Sequence, residues 1–252
     1  MKKLIVFVLT ELLFTVSANA AENKHLALGM PVGGSHVESK VREGYVVGYS
    51  MRHYQPLWVQ YRLTRKDVLS TSKVARSNDF RPDPDFPCTY SLMRDYSKSG
   101  YDKGHLVPAE DMRYSAKAES ESFLMSNMCP QISGFNRGVW RKLERQIRRF
   151  ANDEGAVVVV TGPVLKEFGG RKLGDKMTVA DMFYKVVYSE KKPEKMIAFL
   201  VPHSSSSENL REYVCTVSAV EEKTGLKFFT SLPRGVQSQL KTKSSPGDWG
   251  LE

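Results

Sequence analysis

The fold of this chain is constrained most by the order in which β-type and helical patterns follow one another. Short runs with the alternating or continuous apolar character of strands recur along the sequence, with helical periodicities between some of them. Because strands do not alternate strictly with long helices, the order favours an α+β domain with a central, largely antiparallel sheet flanked by helices over a doubly wound parallel sheet. The predicted strands are Tyr45–Ser50, Trp58–Leu63, Ala156–Thr161, Phe183–Ser189, Ile197–Val201 and Tyr213–Val217. The predicted helices are Ser115–Leu124, Gly138–Asn152 and Ser218–Thr224, with Gly155 and Gly225 just beyond two of their ends.

The two ends of the chain lack these patterns. Lys241–Glu252 contains Ser, Pro and Gly without periodicity and is expected to be a loose tail. At the other end, Lys2-Lys3 precedes a mostly apolar stretch from Leu4 to Val16, and Ala18-Asn19-Ala20 offers the small residues that a signal peptidase needs. An uncleaved N-terminal anchor is the alternative. No later run is long enough to span a membrane.

We therefore expect residues 1–20 to be a signal peptide and residues 21–252 to form a single domain. Such a protein is exported, to the periplasm or to the extracellular space.

Composition indicates a globular protein with a basic balance. The chain is 41% apolar and 26% charged, which excludes a disordered or fibrous protein, and its formal net charge is +9. Positive charge favours a polyanionic partner because each neutralised phosphate releases counterions, although lysines that simply face solvent give the same charge. Cys88, Cys129 and Cys215 are too few for a disulfide scaffold and have no metal-ligand spacing, and the sequence does not select a pair among them.

Two motifs contain residue types that phosphodiester hydrolysis needs. The first, Tyr101-Asp102-Lys103-Gly104-His105, supplies a histidine, and the second, from Asn136 to Glu144, supplies an amide and a carboxylate. In the predicted helix that contains the second motif, one column of residues is apolar and forms the buried face. A second column, spaced four residues apart, consists of Asn136, Trp140, Glu144 and Arg148.

Taken alone, the second column is an exposed helix face with an ordinary Glu144–Arg148 pair. Together with the histidine motif, it indicates a functional site. Asn136 lies just before the helix, where its amide oxygen can either cap the helix or coordinate a hard cation.

These residues resemble the DNA/RNA non-specific endonucleases of the ββα-metal type, the family that includes endonuclease G. Asp102-Lys103-Gly104-His105 stands where the family has Asp-Arg-Gly-His, and the downstream pattern is matched by Ser126-Asn127, Pro130-Gln131, Asn136, Trp140 and Leu143-Glu144. Arg76 and Phe80-Arg81-Pro82-Asp83 resemble the family's approach to the motif, and the likeness spans most of the chain. The resemblance implies an α+β fold with a ββα-metal site.

The resemblance also implies roles for individual residues. His105 is expected to be the general base, because the ordinary pKa of histidine suits proton transfer near neutrality. Asn136 is expected to be the only direct protein ligand of a Mg²⁺ ion that keeps most of its waters, with Mn²⁺ as a possible substitute. Glu144 is expected to hold metal-bound water.

Further residues have expected supporting roles. Arg76 is expected to neutralise the phosphate in the transition state, and Arg148 to support Glu144 or the scissile phosphate. Asp102 is expected to orient the motif loop through hydrogen bonds, Gly104 to permit close approach of backbone, and Asn127 to belong to the shell around His105 or the metal.

Lys103 departs from the family pattern, because lysine cannot make the bidentate contact to phosphate that arginine makes. This departure is expected to reduce activity without abolishing it. The expected substrates are DNA and RNA, cut inside the chain without sequence preference, since phosphate and sugar contacts read no base edges. The alternatives are a catalytically weakened basic nucleic-acid-binding protein of the same fold, a hydrolase of another phosphodiester, and a related zinc enzyme. Neither an inhibitor protein nor an oligomeric state can be read from the sequence.

Overall fold

The computed structural model describes residues 23–34, 36–71, 73–204 and 209–251, so the predicted signal peptide lies outside the described residues. The strands are β1 (Val37–Val41), β2 (Val46–Ser50), β3 (Gln55–Thr64), β4 (Tyr101–His105), β5 (Met128–Ile132), β6 (Ala156–Val164), β7 (Lys172–Leu173), β8 (Met177–Thr178), β9 (Met182–Ser189), β10 (Lys195–Pro202) and β11 (Val214–Cys215). A seven-stranded sheet with the order β1-β2-β3-β6-β9-β10-β11 forms the centre of the domain, and every neighbouring pair in it is antiparallel. The mixed α+β architecture predicted from the sequence is confirmed.

Helices cover both faces of this sheet. The α-helices are α1 (Arg65–Val68), α2 (Leu92–Asp95), α3 (Ala109–Met112), α4 (Ala116–Glu121), α5 (Ser133–Phe135), α6 (Arg141–Glu154), α7 (Val217–Thr224) and α8 (Arg234–Lys241). Single 3₁₀ turns lie at Pro87–Ser91, Met125–Asn127, Leu210–Tyr213 and Pro246–Trp249. None of the helices in the described part of the chain has the length and apolar character needed to cross a membrane.

Side chains alternate between two apolar cores along each central strand. In β6, Val157 and Val159 belong to the core under α6, whereas Val158 and Val160 belong to the core under α7. The same alternation in β9 places Phe183 and Val187 on the α6 face and Tyr184 and Val186 on the α7 face. Because both faces are covered, these strands are apolar almost throughout, which is why they were recognisable in the sequence.

A separate ββα unit lies on the α6 face. Strands β4 and β5 pair antiparallel, with His105 opposite Met128, and α5 follows β5 directly. The chain then makes a π-type turn at Asn136–Trp140, with a kink at Gly138 (φ −99°, ψ −112°), before α6 begins at Arg141. Gly155, in a left-handed backbone region at φ 87°, ends α6. This unit brings the two sequence motifs to one place.

Several boundary predictions were wrong for local reasons. The histidine motif is a strand rather than a loop. The helix predicted over Gly138–Asn152 starts at Arg141 because the kink interrupts it. Of the strand predicted over Tyr213–Val217, only Val214–Cys215 pairs in the sheet, since Thr216 caps α7 by accepting a hydrogen bond from Ala219 N at 3.1 Å.

The prediction of a loose C-terminal tail was also wrong. Within Lys241–Glu252, Trp249 and Leu251 are buried in the core of the α6 face, and the Trp249 ring lies 4.7 Å from that of Phe150. One tryptophan and one leucine do not form a periodic pattern that can be recognised in the sequence, yet their burial holds the C-terminal segment against the core. Cys88, Cys129 and Cys215 are free thiols.

Candidate active site

A groove of about 650 Å³ lies between the ββα unit and the segment that approaches it, and it contains most of the predicted site residues. Its walls are strongly basic, with one aromatic side. The lining residues are Arg76, Phe80, Tyr96, Tyr101, Asp102, Lys103, His105, Pro108, Ala109, Glu110, Asn136, Arg137, Arg141, Glu144, Arg145 and Arg148. Of the residues given a role at the site, Asn127 and Gly104 do not line the groove.

His105, at the end of β4, is held between two aromatic rings. Its ring centroid lies 5.5 Å from that of Phe80 and 4.9 Å from that of Phe123, edge to face in both cases. Burial, together with the positive charge of Arg76, lowers the pKa of His105 from 6.5 to about 3. Its Nε2, but not its Nδ1, is among the buried polar atoms that lack a hydrogen-bond partner in the described part of the chain. The imidazole is therefore neutral at pH 7.

Buried contacts behind His105 fix the backbone that carries it. Asn127 accepts a hydrogen bond from Val107 N and donates one to Val107 O, both at 3.0 Å. Trp140 Nε1 donates to the carbonyl oxygen of His105 at 3.3 Å. Asn127 thus positions the segment after the histidine from behind and does not face the groove, where a metal would lie.

Gly104 is required by the close packing of β4 on β5. A Cβ atom at this position would lie 2.2 Å from Cδ of Gln131, which is inside any allowed contact distance. The predicted close approach of backbone is therefore present, with a neighbouring side chain as the partner.

Asp102 orients Asn136, the candidate metal ligand, through a hydrogen bond. It accepts hydrogen bonds from Ser133 Oγ at 3.1 Å, from Asn136 Nδ2 at 2.9 Å and from both Nε and Nη2 of Arg137 at 2.9 and 2.8 Å. Burial alone would raise the pKa of Asp102, but these hydrogen bonds outweigh it and lower that pKa. Because Nδ2 of Asn136 is committed to Asp102, the amide is oriented and Oδ1 accepts no hydrogen bond from any described residue.

The residues present suit a hard cation that keeps its own waters. The described residues contain no group of three or more His, Cys, Asp or Glu side chains that could enclose a metal. One oriented amide oxygen with a carboxylate on the same wall is a sparse oxygen donor set, and Mg²⁺ tolerates such a set because it dehydrates reluctantly. Asn136 would hold the ion, and Glu144 would hold its waters.

Glu144 lies beside a buried group of charges. Burial raises the pKa of Glu144, and the positive charge of Lys185 opposes this rise. Further charges near Glu144 are those of Asp111, Arg148 and Arg76. The carboxylate is therefore easier to protonate than an exposed one.

Arg148 pairs with a carboxylate other than the predicted one. Its Nη1 lies 2.6 Å from Oδ1 of Asp111, which is fully buried and also accepts a hydrogen bond from Tyr61 Oη at 3.0 Å. An ordinary Glu144–Arg148 surface pair is not among the ion pairs of the described residues, although the two charges lie close enough to interact. Arg148 still lines the groove.

Lys185 is a buried cation that sequence reasoning missed. Its Nζ lies 4.3 Å from the centroid of the Trp140 ring, 3.2 Å from Thr161 Oγ1 and 3.4 Å from Leu106 O. Burial lowers its pKa. The signal in the sequence was a lysine inside the apolar run of β9, where charged residues are seldom buried without a partner.

Trp140 is fully buried, so it does not belong to an exposed column as the four-residue spacing suggested. The kink at Gly138 lies between Asn136 and Trp140 and turns the tryptophan into the core.

Arg76 and Lys103 both stand against aromatic rings of the groove. The guanidinium of Arg76 lies 4.8 Å from the Phe123 centroid, and Nε donates to Asn78 Oδ1 at 2.8 Å. Nζ of Lys103 lies 5.2 Å from the Phe80 centroid and 5.7 Å from that of Tyr96. Cation–π contacts of this kind hold the two charges at the mouth of the site without neutralising them.

A ββα unit that places a neutral histidine, an oriented amide oxygen and several cations around one groove defines a metal-dependent, phosphodiester-cleaving class of enzyme. The family model described as DNA/RNA non-specific endonuclease matches residues 21–235. The chain belongs to the DNA/RNA non-specific endonuclease family.

Individual relatives agree with this assignment. The protein named "Nuclease 1, mitochondrial" of Schizosaccharomyces pombe is 32% identical over 237 residues, which cover 86% of this chain and 73% of that protein. The protein named "Nuclease EXOG, mitochondrial" of Danio rerio is 32% identical over 234 residues, which cover 86% of this chain and 67% of that protein. A chain of the crystal structure of the EndoG/EndoGI complex superposes with a TM-score of 0.74 and 32% identity, covering 87% of this chain and 94% of that chain. The predicted enzyme class and the predicted family are confirmed.

The predicted export is contradicted by the same comparisons. The two relatives described above are named mitochondrial nucleases, and these names contradict the predicted periplasmic or extracellular location. The prediction rested on a basic start followed by an apolar stretch, and such a pattern indicates targeting more clearly than it indicates the destination.

Proposed function

We propose that this nuclease hydrolyses phosphodiester bonds inside DNA and RNA strands without sequence preference, with His105 as general base and one Mg²⁺ held by Asn136. We further propose that residues 21–252 form a single nuclease domain and that Mn²⁺ substitutes for Mg²⁺. The observation that carries the proposal is the neutral imidazole of His105 in the same groove as the oriented amide of Asn136.

His105 takes the proton of the attacking water. Because Nε2 is enclosed, we assign the hydrogen to Nε2 and the accepting lone pair to Nδ1. The hydrogen bond from Trp140 to the backbone of His105 and the bracing of Val107 by Asn127 keep the ring in place during this transfer. A substrate phosphate beside the ring stabilises the imidazolium that forms.

The cation, when bound, supplies neutralisation of the charge that develops on the phosphate oxygens. Asn136 would hold the ion through Oδ1, because Asp102 holds its Nδ2. Glu144 would accept hydrogen bonds from the waters that the ion keeps.

Arg76 neutralises the phosphate in the transition state from the His105 side of the groove. Its position over the Phe123 ring supports this role, because the guanidinium then points at the site with its charge unpaired by any carboxylate of the described residues. Arg148, neutralised in part by Asp111, and Lys103 add positive potential to the same groove. Since phosphate and sugar contacts carry no base information, both DNA and RNA are substrates.

The test is nicking of supercoiled plasmid and degradation of total RNA by the wild-type protein and by His105→Ala and Asn136→Ala. Each is assayed with Mg²⁺, with Mn²⁺ and with EDTA. We expect both activities to require the ion and to fall by roughly 10²–10⁴-fold in His105→Ala, the range for losing a general base. Asn136→Ala should lose activity that higher Mg²⁺ partly restores, since a ligand has been removed.

His36→Ala and Asn152→Ala are matched controls, because both residues lie outside the groove. They should retain wild-type activity. Cleavage that survives EDTA would refute the metal, full activity of His105→Ala would refute the base, and binding without cleavage under every condition would favour a nucleic-acid-binding protein.

A further inference from the structure

Two arginines of α6 have no role in the site described above. Arg141 and Arg145 line the groove and are exposed, and neither has an ion pair or a hydrogen bond with any side chain of the described residues. The other arginines of this wall differ, because Arg137 is bound to Asp102 and Arg148 is bound to Asp111.

Two of the three acidic residues that line the groove are engaged by other cations, and the third, Glu144, has no ion pair with either arginine among the described residues. Glu110 lies 2.9 Å from Arg113 and 3.3 Å from Lys73, and Asp102 accepts two hydrogen bonds from Arg137. The charges of Arg141 and Arg145 are therefore available to a ligand in the groove.

Neither arginine stabilises the helix that carries it. Arg141 is the first residue of α6, where a positive charge opposes the helix dipole. Arg141 and Arg145 are also like charges four residues apart, a spacing that destabilises a helix by a few tenths of a kcal/mol. A structural role does not account for either residue.

The distance between Arg141 and Arg145 along the helix is similar to the distance between phosphates along a nucleic-acid strand. Four residues advance about 6 Å along a helix and turn only about 40° around it, so the two guanidinium groups share one side of the groove. Nucleic acid carries one phosphate about every 3.4 Å of axial rise in each strand, so this step spans one or two nucleotides. Arginine is also the side chain best suited to bidentate phosphate contacts.

We propose that Arg141 and Arg145 form a phosphate track, which binds the substrate strand to one side of the bond that is cut. This inference rests on the proposed function, since it assigns a strand to the same groove. The track makes cleavage efficiency depend on substrate length, and its binding is independent of base sequence and weakened by salt.

The experiment compares the double variant Arg141→Gln/Arg145→Gln with Arg149→Gln and with the wild-type chain. Arg149 is an exposed arginine of the same helix that does not line the groove. Each protein is assayed with a dinucleotide and with a 20-nucleotide single strand, and the binding of a labelled 20-nucleotide strand is measured by anisotropy from low to high salt in a His105→Ala parent.

For the double variant we expect kcat/KM on the long strand to fall about tenfold, mainly through KM, with no change on the dinucleotide. The salt dependence of binding, as the slope of log K against log salt concentration, should decrease by about 1.4, or about 0.7 for each phosphate contact on a single strand. Arg149→Gln should match the wild-type protein.

Equal losses of kcat/KM on the dinucleotide and on the long strand, or an unchanged salt dependence of binding, would refute the proposed phosphate track. The binding arm separates this inference from the proposed function. If the wild-type protein fails to cleave while the double variant still lowers the salt slope, the phosphate track stands and the proposed reaction is refuted.

Discussion

On one face of the seven-stranded sheet, the charged side chains of Asp111, Glu144, Arg148 and Lys185 lie together beside α6. On the other face the core under α7 is apolar, and the buried ion pair of Glu221 and Lys241 joins α7 to α8. The strands are shared, so the two faces of the sheet use alternate residues of the same strands, and the helices supply the other charged side chains. In β9, for example, Lys185 points to the α6 face, and its neighbours Tyr184 and Val186 point to the α7 face.

The contrast shows where this fold carries function. Burying ionisable groups is unfavourable unless each is paired or hydrogen-bonded, and such groups persist where a site needs them. Here Asp111 and Lys185 are buried next to Glu144 and Arg148, which line the groove, and the apolar face supplies stability to the sheet that supports them. Substitutions on the two faces should therefore affect stability and activity in different proportions.

The largest effect on stability is expected on the apolar face. Phe228 is fully buried there, with its ring 5.6 Å from that of Tyr184. Phe228→Ala should lower the free energy of unfolding by about 3–5 kcal/mol, because it removes apolar contacts and leaves a cavity. Urea unfolding measures the loss, and activity per folded molecule at low temperature should stay near the wild-type value; a loss of activity in the folded fraction would contradict the separation of the two faces.

Disrupting the buried ion pair between Asp111 and Arg148, on the other face, should lower both stability and activity. Asp111→Asn leaves Arg148 partly buried without its carboxylate and should cost about 3 kcal/mol, together with activity. In a double-mutant cycle with Arg148→Met, the combined loss should be smaller than the sum of the two single losses. Glu167→Gln, which removes an exposed pair with Arg52, is the control and should cost less than about 1 kcal/mol.

Histidine protonation gives a third, pH-dependent contrast. The pKa of His105 is about 3 in the folded protein and about 6.5 when unfolded, so the unfolded chain binds the proton first as the pH falls. Stability should therefore be unaffected above pH 6.5 and decrease as the pH falls from there towards 3. His105→Gln should reduce the loss of unfolding free energy between pH 7 and pH 5 by about 2 kcal/mol.

His25, which has a pKa of about 4 through burial, is the internal comparison for that measurement. It packs outside the groove, where its Nδ1 accepts a hydrogen bond from Arg62 N at 3.0 Å. The variant His105→Gln should still lose some unfolding free energy as the pH falls, because His25 is still present. An unchanged pH dependence in this variant would show that His105 is not held neutral by burial.

The smallest effect is expected at Lys103, where the family has arginine. Lys103→Arg should leave kcat/KM equal or raise it a few-fold, since a guanidinium can keep the contacts with Phe80 and Tyr96 and adds a bidentate phosphate contact. The exposed Lys117→Arg serves as the matched control. A large loss of kcat/KM in Lys103→Arg but not in Lys117→Arg would mean that the reaction requires the ammonium group of Lys103.

Much of the site was predictable because its information is local. The residues around His105 and Asn136 form two short motifs, and each central strand is an apolar run that is recognisable without its neighbours. The boundaries of α6 were less predictable, since the kink at Gly138 depends on how the chain leaves β5. The position of Asn127 behind His105 could not be predicted from a motif either, because its hydrogen bonds to Val107 and Ser122 depend on how the turn packs.

The sequence by itself determined the α+β class, the covered sheet, the nuclease family and the residue types of the site, since these follow from hydrophobic period and from short motifs. Tertiary structure alone decided which carboxylate meets Arg148, that Lys185 lies against Trp140 and that Trp249 anchors the C-terminal segment. It also decided that Arg141 and Arg145 have no ion-pair partner in the groove among the described residues. The reason is physical. Charge pairing and burial depend on distances between residues far apart in the chain, and those distances exist only after the two layers have packed on the sheet.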